Sequence, residues 1–154
     1  MKKIDGTKPV LVTGATGYVA GWLVKTLLEE GLTVHAAVRN PNDERKLAHL
    51  NTLAATLPGE IKYFKADLLA IGSYAEAMQD CELVFHTASP FTSNYKDPQK
   101  ELIDPAVLGT RNVLKQANAT ESVKRVVLTS SCAAILTAHP TVSLPRRSGI
   151  RRLL

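Results

Sequence analysis

The sequence has few of the features that mark membrane, secreted or metal-binding proteins. Its 154 residues contain no apolar run approaching the roughly 18 residues of a membrane-spanning helix, and the start at Met1 turns polar at once instead of forming a signal-peptide core. It has two cysteines, Cys81 and Cys132, and neither shows the CxxC or Cys/His spacing of a zinc site. We therefore expect a cytoplasmic protein with two buried thiols, no metal and no membrane partner.

Acidic residues are missing from the last 14 positions. Residues 141–154 carry four of the chain's 19 basic residues, all arginine, and no hydrophobic period, so most of the net charge of +5 belongs to this tail. Without aromatic residues or amphipathic spacing, a nucleic-acid or membrane arm is the less favoured interpretation. We expect misassembled or out-of-frame sequence outside a folded domain of residues 8–138, and no nucleic-acid partner.

Short apolar segments alternate with segments of helical spacing along the rest of the chain. The apolar segments predict strands at 10–12, 33–38, 61–64, 83–87 and 126–129. The intervening patterns predict helices at 18–30, 41–57, 73–79 and 97–119, the last with a kink at Pro105. This alternation predicts an α/β fold, a doubly wound parallel sheet of order 3-2-1-4-5.

Two of these helices have apolar residues that recur at helical spacing. In the first helix these residues are Val19, Trp22, Leu23, Leu27 and Leu28. In the last helix they predict the inward face and are Val107, Leu108, Val113 and Leu114.

A glycine-containing turn joins the first predicted strand to the first predicted helix. The turn and the helix start comprise Gly14, Ala15, Thr16, Gly17, Tyr18 and Val19, followed by the small Ala20. Gly14 permits a tight turn and Gly17 a close approach of backbone to phosphate, while the helix start offers free N–H groups to an anion. This placement predicts a dinucleotide-binding site.

The second predicted strand ends in a cation. NAD-binding folds place an acid there, roughly 20 residues past the glycines, to bind the ribose 2′-hydroxyl. Here the strand ends in Arg39, which can form a forked pair with a 2′-phosphate, and Lys46 follows in the next helix as a second candidate. The sequence favours NADP over NAD, although solvent-exposed surface cations remain an alternative for both residues.

Further motifs resemble those of the extended short-chain dehydrogenases, in particular the dihydroflavonol reductase and cinnamoyl-CoA reductase group. Besides the glycine turn and Arg39, the resemblance rests on residues 65–69 (KADLL), 84–90 (VFHTASP), 104–114 (DPAVLGTRNVL) and 127–131 (VLTSS). It implies that Asp67 and Leu68 bracket adenine, and that Thr87, Ala88 and Ser89 line the pyrophosphate and nicotinamide ribose. Ser131 matches the family's catalytic serine, with the neighbouring Ser130 as the alternative. Without the resemblance, Asp67 is a plain loop acid, and we interpret His86 as a core histidine.

The family's Tyr-x-x-x-Lys motif does not occur in the sequence. The resemblance implies that the motif, a sixth strand and the substrate-binding lobe lie beyond Leu154. We therefore expect the cofactor-binding portion of an NADP-dependent reductase of small carbonyl compounds, truncated and inactive alone. A non-catalytic NADP(H)-binding module is the alternative. The sequence leaves the substrate and the oligomeric state open.

Overall fold

The computed structural model describes residues 3–90 and 94–131, and these fold into a parallel sheet with helices on both faces. The strands are β1 (Val10–Thr13), β2 (Thr33–Val38), β3 (Glu60–Lys65), β4 (Leu83–His86) and β5 (Arg125–Leu128). The helices are α1 (Tyr18–Glu29), α2 (Glu44–Thr56), α3 (Ala75–Met78) and α4 (Asp104–Ala119), the last preceded by a π-helical turn at Gln99–Ile103. Every predicted strand and helix is confirmed, with ends shifted by a few residues.

The strand order is β3-β2-β1-β4-β5, as predicted. β1 lies in the centre, where Val10 pairs with Val34 of β2 on one side and with Leu83 of β4 on the other. β2 and β3 lie on one side of β1, and β4 and β5 lie on the other side. The direction in which successive strands are added to the sheet therefore reverses between β1 and β4.

Alternate residues of β1 reach two hydrophobic cores. Val10 and Val12 pack with α1 and α2, whereas Leu11 lies in the core under α3 and α4. All three side chains are buried, because strands covered on both faces must be apolar along their length. β1 therefore contributes to both cores.

The predicted inward face of α4 is partly wrong, and the apolar residues of the α1 pattern are not all buried. In α1, Leu27 and Leu28 are buried, but Val19 and Trp22 are exposed. In α4, Val113 is buried, whereas Val107, Leu108 and Leu114 are more than 40% exposed. The other buried positions are Val24 in α1 and three small residues, Ala20 in α1, and Gly109 and Ala117 in α4. Small side chains let a helix backbone approach the elements beneath it, and the larger apolar residues then lie outside the contact.

The predicted kink at Pro105 stays a prediction. Pro105 is the second residue of α4, which directly follows the π-helical turn at Gln99–Ile103. Both features are common causes of a bend in a helix.

Two predictions concern residues outside the described parts of the chain. These are Cys132 as a buried thiol and the tail at 141–154, while the domain boundary of 8–138 stays a prediction. Cys81 is described and is buried, as expected. Within residues 3–90 and 94–131, no helix has the length and apolar character needed to cross a membrane.

The packing predicts different costs for truncating two helical leucines. Leu28 of α1 is fully buried and Leu108 of α4 is about half exposed, at 53%. Leu28→Ala should lower the free energy of unfolding by about 2–5 kcal/mol, because it leaves a cavity. Leu108→Ala should lower it by less than about 1 kcal/mol. Urea unfolding of both variants measures the difference, and equal losses would contradict the observed orientation of α4.

Candidate functional site

A crevice of about 540 Å³ lies at the carboxyl ends of the strands, where the strand order reverses. In open parallel sheets the loops beside such a reversal leave toward opposite faces and create a gap. The residues around the crevice come from the loops after β1, β2, β3 and β4 and from the start of α4. They are Gly14, Thr16, Gly17, Ala37, Val38, Arg39, Ala66, Asp67, Leu68, Leu69, Tyr74, Thr87, Ala88, Ser89, Pro90 and Pro105. The structure thus brings together nine of the predicted site residues.

The loop after β1 depends on the absence of a side chain at Gly14. Its φ is +64°, a conformation that L residues rarely adopt. A Cβ atom there would lie 3.0 Å from both Cα and Cβ of Ala88. The loops after β1 and β4 can therefore approach each other across the end of the sheet.

The amino terminus of α1 has no side-chain cap, and we call it open, whereas that of α2 is capped by a side chain. Gly17 is the N-cap of α1, no side chain caps its first turn, and that turn contains no acid. In α2, the Asp43 carboxylate accepts a hydrogen bond from the Lys46 amide at 3.1 Å. Free N–H groups and the positive end of the helix dipole attract anions, so α1 is the helix that favours an anion in this crevice.

The two predicted phosphate-binding cations lie in different surroundings. Arg39 follows β2 and lines the crevice, and no carboxylate among the described residues pairs with it. Lys46 lies on α2 outside the crevice lining, and its Nζ is 3.3 Å from Oδ2 of Asp43. The positive charge available in the crevice therefore comes from Arg39.

The loop after β3 is braced by its own side chains. Oδ1 of Asp67 accepts the Leu69 amide at 2.8 Å. The Ser73 hydroxyl accepts the Asp67 amide at 3.1 Å and donates to the Asp67 carbonyl at 2.8 Å. Beneath the loop, burial and the nearby Asp67 charge raise the pKa of Tyr74 to about 12. Asp67, Leu68 and Leu69 thus present a fixed wall to the crevice.

The Thr13 hydroxyl connects the end of β1 to the start of the loop after β4. The backbone amides of Thr87 and Ala88 donate to Oγ1 of Thr13 at 3.2 and 3.1 Å, and the Thr87 hydroxyl donates to the Thr13 carbonyl. Oγ1 of Thr13 also lies 2.8 Å from Nδ1 of His86. A hydroxyl has two acceptor sites and one proton, so with both acceptor sites filled its proton goes to His86.

This arrangement sets the tautomer of His86. Since Nδ1 accepts from Thr13, the neutral ring carries its proton on Nε2, which faces the Thr110 hydroxyl at 3.4 Å. Burial lowers the pKa of His86 and so favours this neutral form. The prediction that His86 is a core histidine is confirmed, and its ring supports the loop that bears Thr87 and Ala88.

His35 has the opposite tautomer in the core below the site. Its Nδ1 lies 2.9 Å from the Ala77 carbonyl, which can only accept, so the proton is on Nδ1. Sγ of Cys81 is 3.4 Å from this nitrogen, but burial raises the pKa of Cys81 to about 12. The pair therefore packs as a structural unit and supplies no thiolate.

The remaining predicted residues lie away from the crevice. Ala15 is buried beneath the turn, Tyr18 and Val19 are exposed, and Ser131 follows β5 as an exposed residue outside the crevice lining. Tyr18 borders a shallower apolar groove between α1 and α2. Among the described residues, no group of three or more His, Cys, Asp or Glu side chains could hold a metal ion.

Sequence reasoning missed the supporting role of Thr13, the crevice position of Tyr74 and the loop contacts of Asn112. Asn112 lies within the motif at 104–114, and Thr13 directly precedes the glycine turn. Their partners are 73 or more and 42 or more residues away in the chain, respectively, so spacing within a motif carries no signal for them.

The strand order and the position of the crevice define a Rossmann-type domain. A family model described as the NAD dependent epimerase/dehydratase family matches residues 10–147. The chain belongs to this family.

Relatives and solved structures agree with this assignment. Cinnamoyl-CoA reductase CAD2 of Medicago truncatula is 54% identical over 126 residues, 82% of this chain and 38% of that protein. Dihydroflavonol 4-reductase of Gerbera hybrida is 41% identical over 131 residues, 85% of this chain and 36% of that protein. The structure of Gre2 in complex with NADPH from Candida albicans matches with a TM-score of 0.73 at 36% identity, covering 85% of this chain and 39% of that one. The predicted resemblance is confirmed, and the chain spans a little over a third of these relatives' length.

The buried histidines predict that folding stability falls at mildly acidic pH. Burial lowers the pKa of both His35 and His86 from the ordinary value of 6.5. Below about pH 6.5 the unfolded chain therefore binds more protons than the folded one, and the free energy of unfolding decreases as pH drops. Urea unfolding between pH 7.5 and 5.5, above the range where unfolded carboxyl groups titrate, measures this slope.

The variant His86→Asn separates the contribution of His86. Asparagine keeps an acceptor facing Thr13 but binds no proton, so the variant should show a smaller loss between pH 7.5 and 5.5 than the wild type. An equal loss in both proteins, or a stability that rises on acidification, would contradict the lowered pKa of His86.

Proposed function

We propose that these residues form the NADP(H)-binding portion of a carbonyl reductase. The observation that carries this proposal is the combination of an open α1 amino terminus with Arg39 in one crevice. Both features favour phosphate groups, one at the pyrophosphate position and one at the end of β2. Gly14, Ala15, Thr16, Gly17, Tyr18 and Val19 would form or support the pyrophosphate turn.

Selectivity for NADP over NAD follows in this proposal from Arg39. The guanidinium can donate two parallel hydrogen bonds to a 2′-phosphate and stack on the adenine ring. An NAD-type site would need an acceptor for the 2′-hydroxyl here. Lys46 contributes less, because Asp43 already neutralises it.

The rest of the crevice suits the rest of the dinucleotide. Asp67 and Leu68 would contact adenine, with the free Asp67 oxygen accepting from the amino group while Oδ1 holds Leu69. Thr87, Ala88 and Ser89 would line the pyrophosphate and the nicotinamide ribose. A cavity of this size suits a cofactor, and adding a Cβ at Gly14 would push the Ala88 loop away from its position.

For the complete protein we propose reduction of a small-molecule carbonyl compound to an alcohol. When bound, NADPH would supply the hydride. Ser131 is the proposed hydrogen-bond donor to the substrate carbonyl, placed at the carboxyl end of β5. The names of the relatives, which include cinnamoyl-CoA, anthocyanidin and dihydroflavonol reductases, support a reductase that acts on a small molecule.

The alternative function for these residues is NADP(H) binding without turnover. None of the four tyrosines of the sequence is followed four residues later by lysine. In the enzyme such a pair would act as the proton donor to the developing alkoxide. Oxidation of NADPH by this chain in the presence of aldehydes would favour the reductase, whereas binding without oxidation would favour the alternative.

The variant Arg39→Ala tests the proposed cofactor preference. It should weaken NADPH binding roughly 10- to 100-fold, the value of losing charge-assisted hydrogen bonds, and change NADH binding by less than about 2-fold. Titration calorimetry with both nucleotides measures the two dissociation constants. Arg111→Ala, which removes an exposed arginine of α4 outside the crevice lining, serves as the matched control.

The contradicting results are also distinct. If Arg39→Ala weakens NADPH and NADH equally, Arg39 does not read the 2′-phosphate. If the wild-type chain prefers NADH, the proposal of an NADP-dependent protein is wrong.

A further inference from the structure

We propose that Gly109 and Asn112 of α4 form a clasp that positions the adenine-side loop, residues 66–71, for nucleotide binding. Both residues belong to the motif at 104–114, to which the resemblance assigns no role. The inference rests on the proposed NADP(H) binding and adds a positioning residue, Asn112, that contacts the loop from behind rather than the ligand.

The Asn112 amide joins α4 to two residues of the loop at once. Its Nδ2 donates to the Leu68 carbonyl and to the Ala70 carbonyl, both at 2.9 Å. These bonds use both hydrogens of the amino group, so the orientation of the amide is determined. They connect positions that are 44 and 42 residues apart in the sequence.

Gly109 brings the helix close enough for this contact. It is buried, and a Cβ atom there would lie 3.0 Å from Cβ and 3.2 Å from Cδ2 of Leu68. Leu68 is thus held from one helix by its side chain, through Gly109, and by its carbonyl, through Asn112. One helical turn separates the two contacts.

The clasp acts on a loop whose other face lines the crevice. Asp67, Leu68 and Leu69 face the site, and local bonds from Asp67 and Ser73 hold the first half of the loop. The second half is largely exposed, with Ile71 94% accessible. Ala70 is also held locally, since its amide donates to the Asp67 carbonyl and its carbonyl accepts the Ser73 amide, both at 3.2 Å. The bonds from Asn112 add the connection from this loop to α4.

Replacement of Asn112 by aspartate tests the clasp with almost no change in shape. A carboxylate would face two carbonyl oxygens and repel them, so the loop should move away from α4. We expect Asn112→Asp to weaken binding of NADPH about tenfold, and to weaken binding of 2′,5′-ADP by the same factor, since that fragment contains the adenine end. Asn118→Asp, an exposed position on the same helix, should leave both affinities unchanged.

A second variant covers the case in which Asn112→Asp does not fold. Asn112→Ala removes both bonds without adding charge, and it should weaken the two ligands by a common, smaller factor. In the nucleotide-free chain it should also speed hydrogen exchange of the amides of residues 69–71, while the amides of β1 keep their protection.

The outcomes separate the inference from the function on which it rests. Unchanged affinity in the Asn112 variants, or a loss seen with NADPH but not with 2′,5′-ADP, would overturn the clasp. If the wild-type chain binds neither ligand, the proposed function fails, and the exchange of residues 69–71 still reports whether Asn112 holds the loop.

Discussion

The crevice depends on the contacts between the loops after β1 and β4, at the point where these loops leave the sheet toward opposite faces. β1 and β4 are paired neighbours, but the helices that follow them pack on opposite faces of the sheet. The Thr13 hydroxyl holds this junction, because it accepts two amides of the β4 loop and donates to His86. Gly14 then allows the β1 loop to pass within contact distance of Ala88. A longer side chain at either position would separate the loops.

The electrostatic character of the site follows from two positive groups that no acidic side chain of the described residues neutralises, the start of α1 and Arg39. At α2 the start of the helix and Lys46 are both neutralised by Asp43, whereas at α1 no side chain caps the first turn. Arg39 adds a cation that pairs with no acid among the described residues. The crevice consequently offers two separated sites for negative charge, and this is the physical basis for proposing a dinucleotide with an additional phosphate.

The sequence predicted most of the fold, because hydrophobic periodicity and the residues that end helices and strands are local signals. Apolar strands bounded by glycine, and helices with regular spacing, fixed the elements and the order of the sheet. The buried faces of α1 and α4 were harder to predict. Small residues make close contacts but give little hydrophobic signal, as Ala20, Gly109 and Ala117 show. Trp22 and Leu108 give a strong signal and are exposed. The motif positions predicted the residues around the crevice. Thr13 and Asn112 support these residues through partners far away in the chain. Their roles are therefore visible only in the three-dimensional structure.

The most direct test of the account is to map the NADPH contact surface by NMR. In a ¹H–¹⁵N titration, the account predicts that the amides of the four crevice loops shift: 14–17, 39, 67–69 and 87–89. Amides around the apolar groove between α1 and α2, such as those of Trp22, His49 and Leu53, should shift little. Shifts concentrated at this groove, or none at saturating NADPH, would contradict the assignment of the crevice as the dinucleotide site.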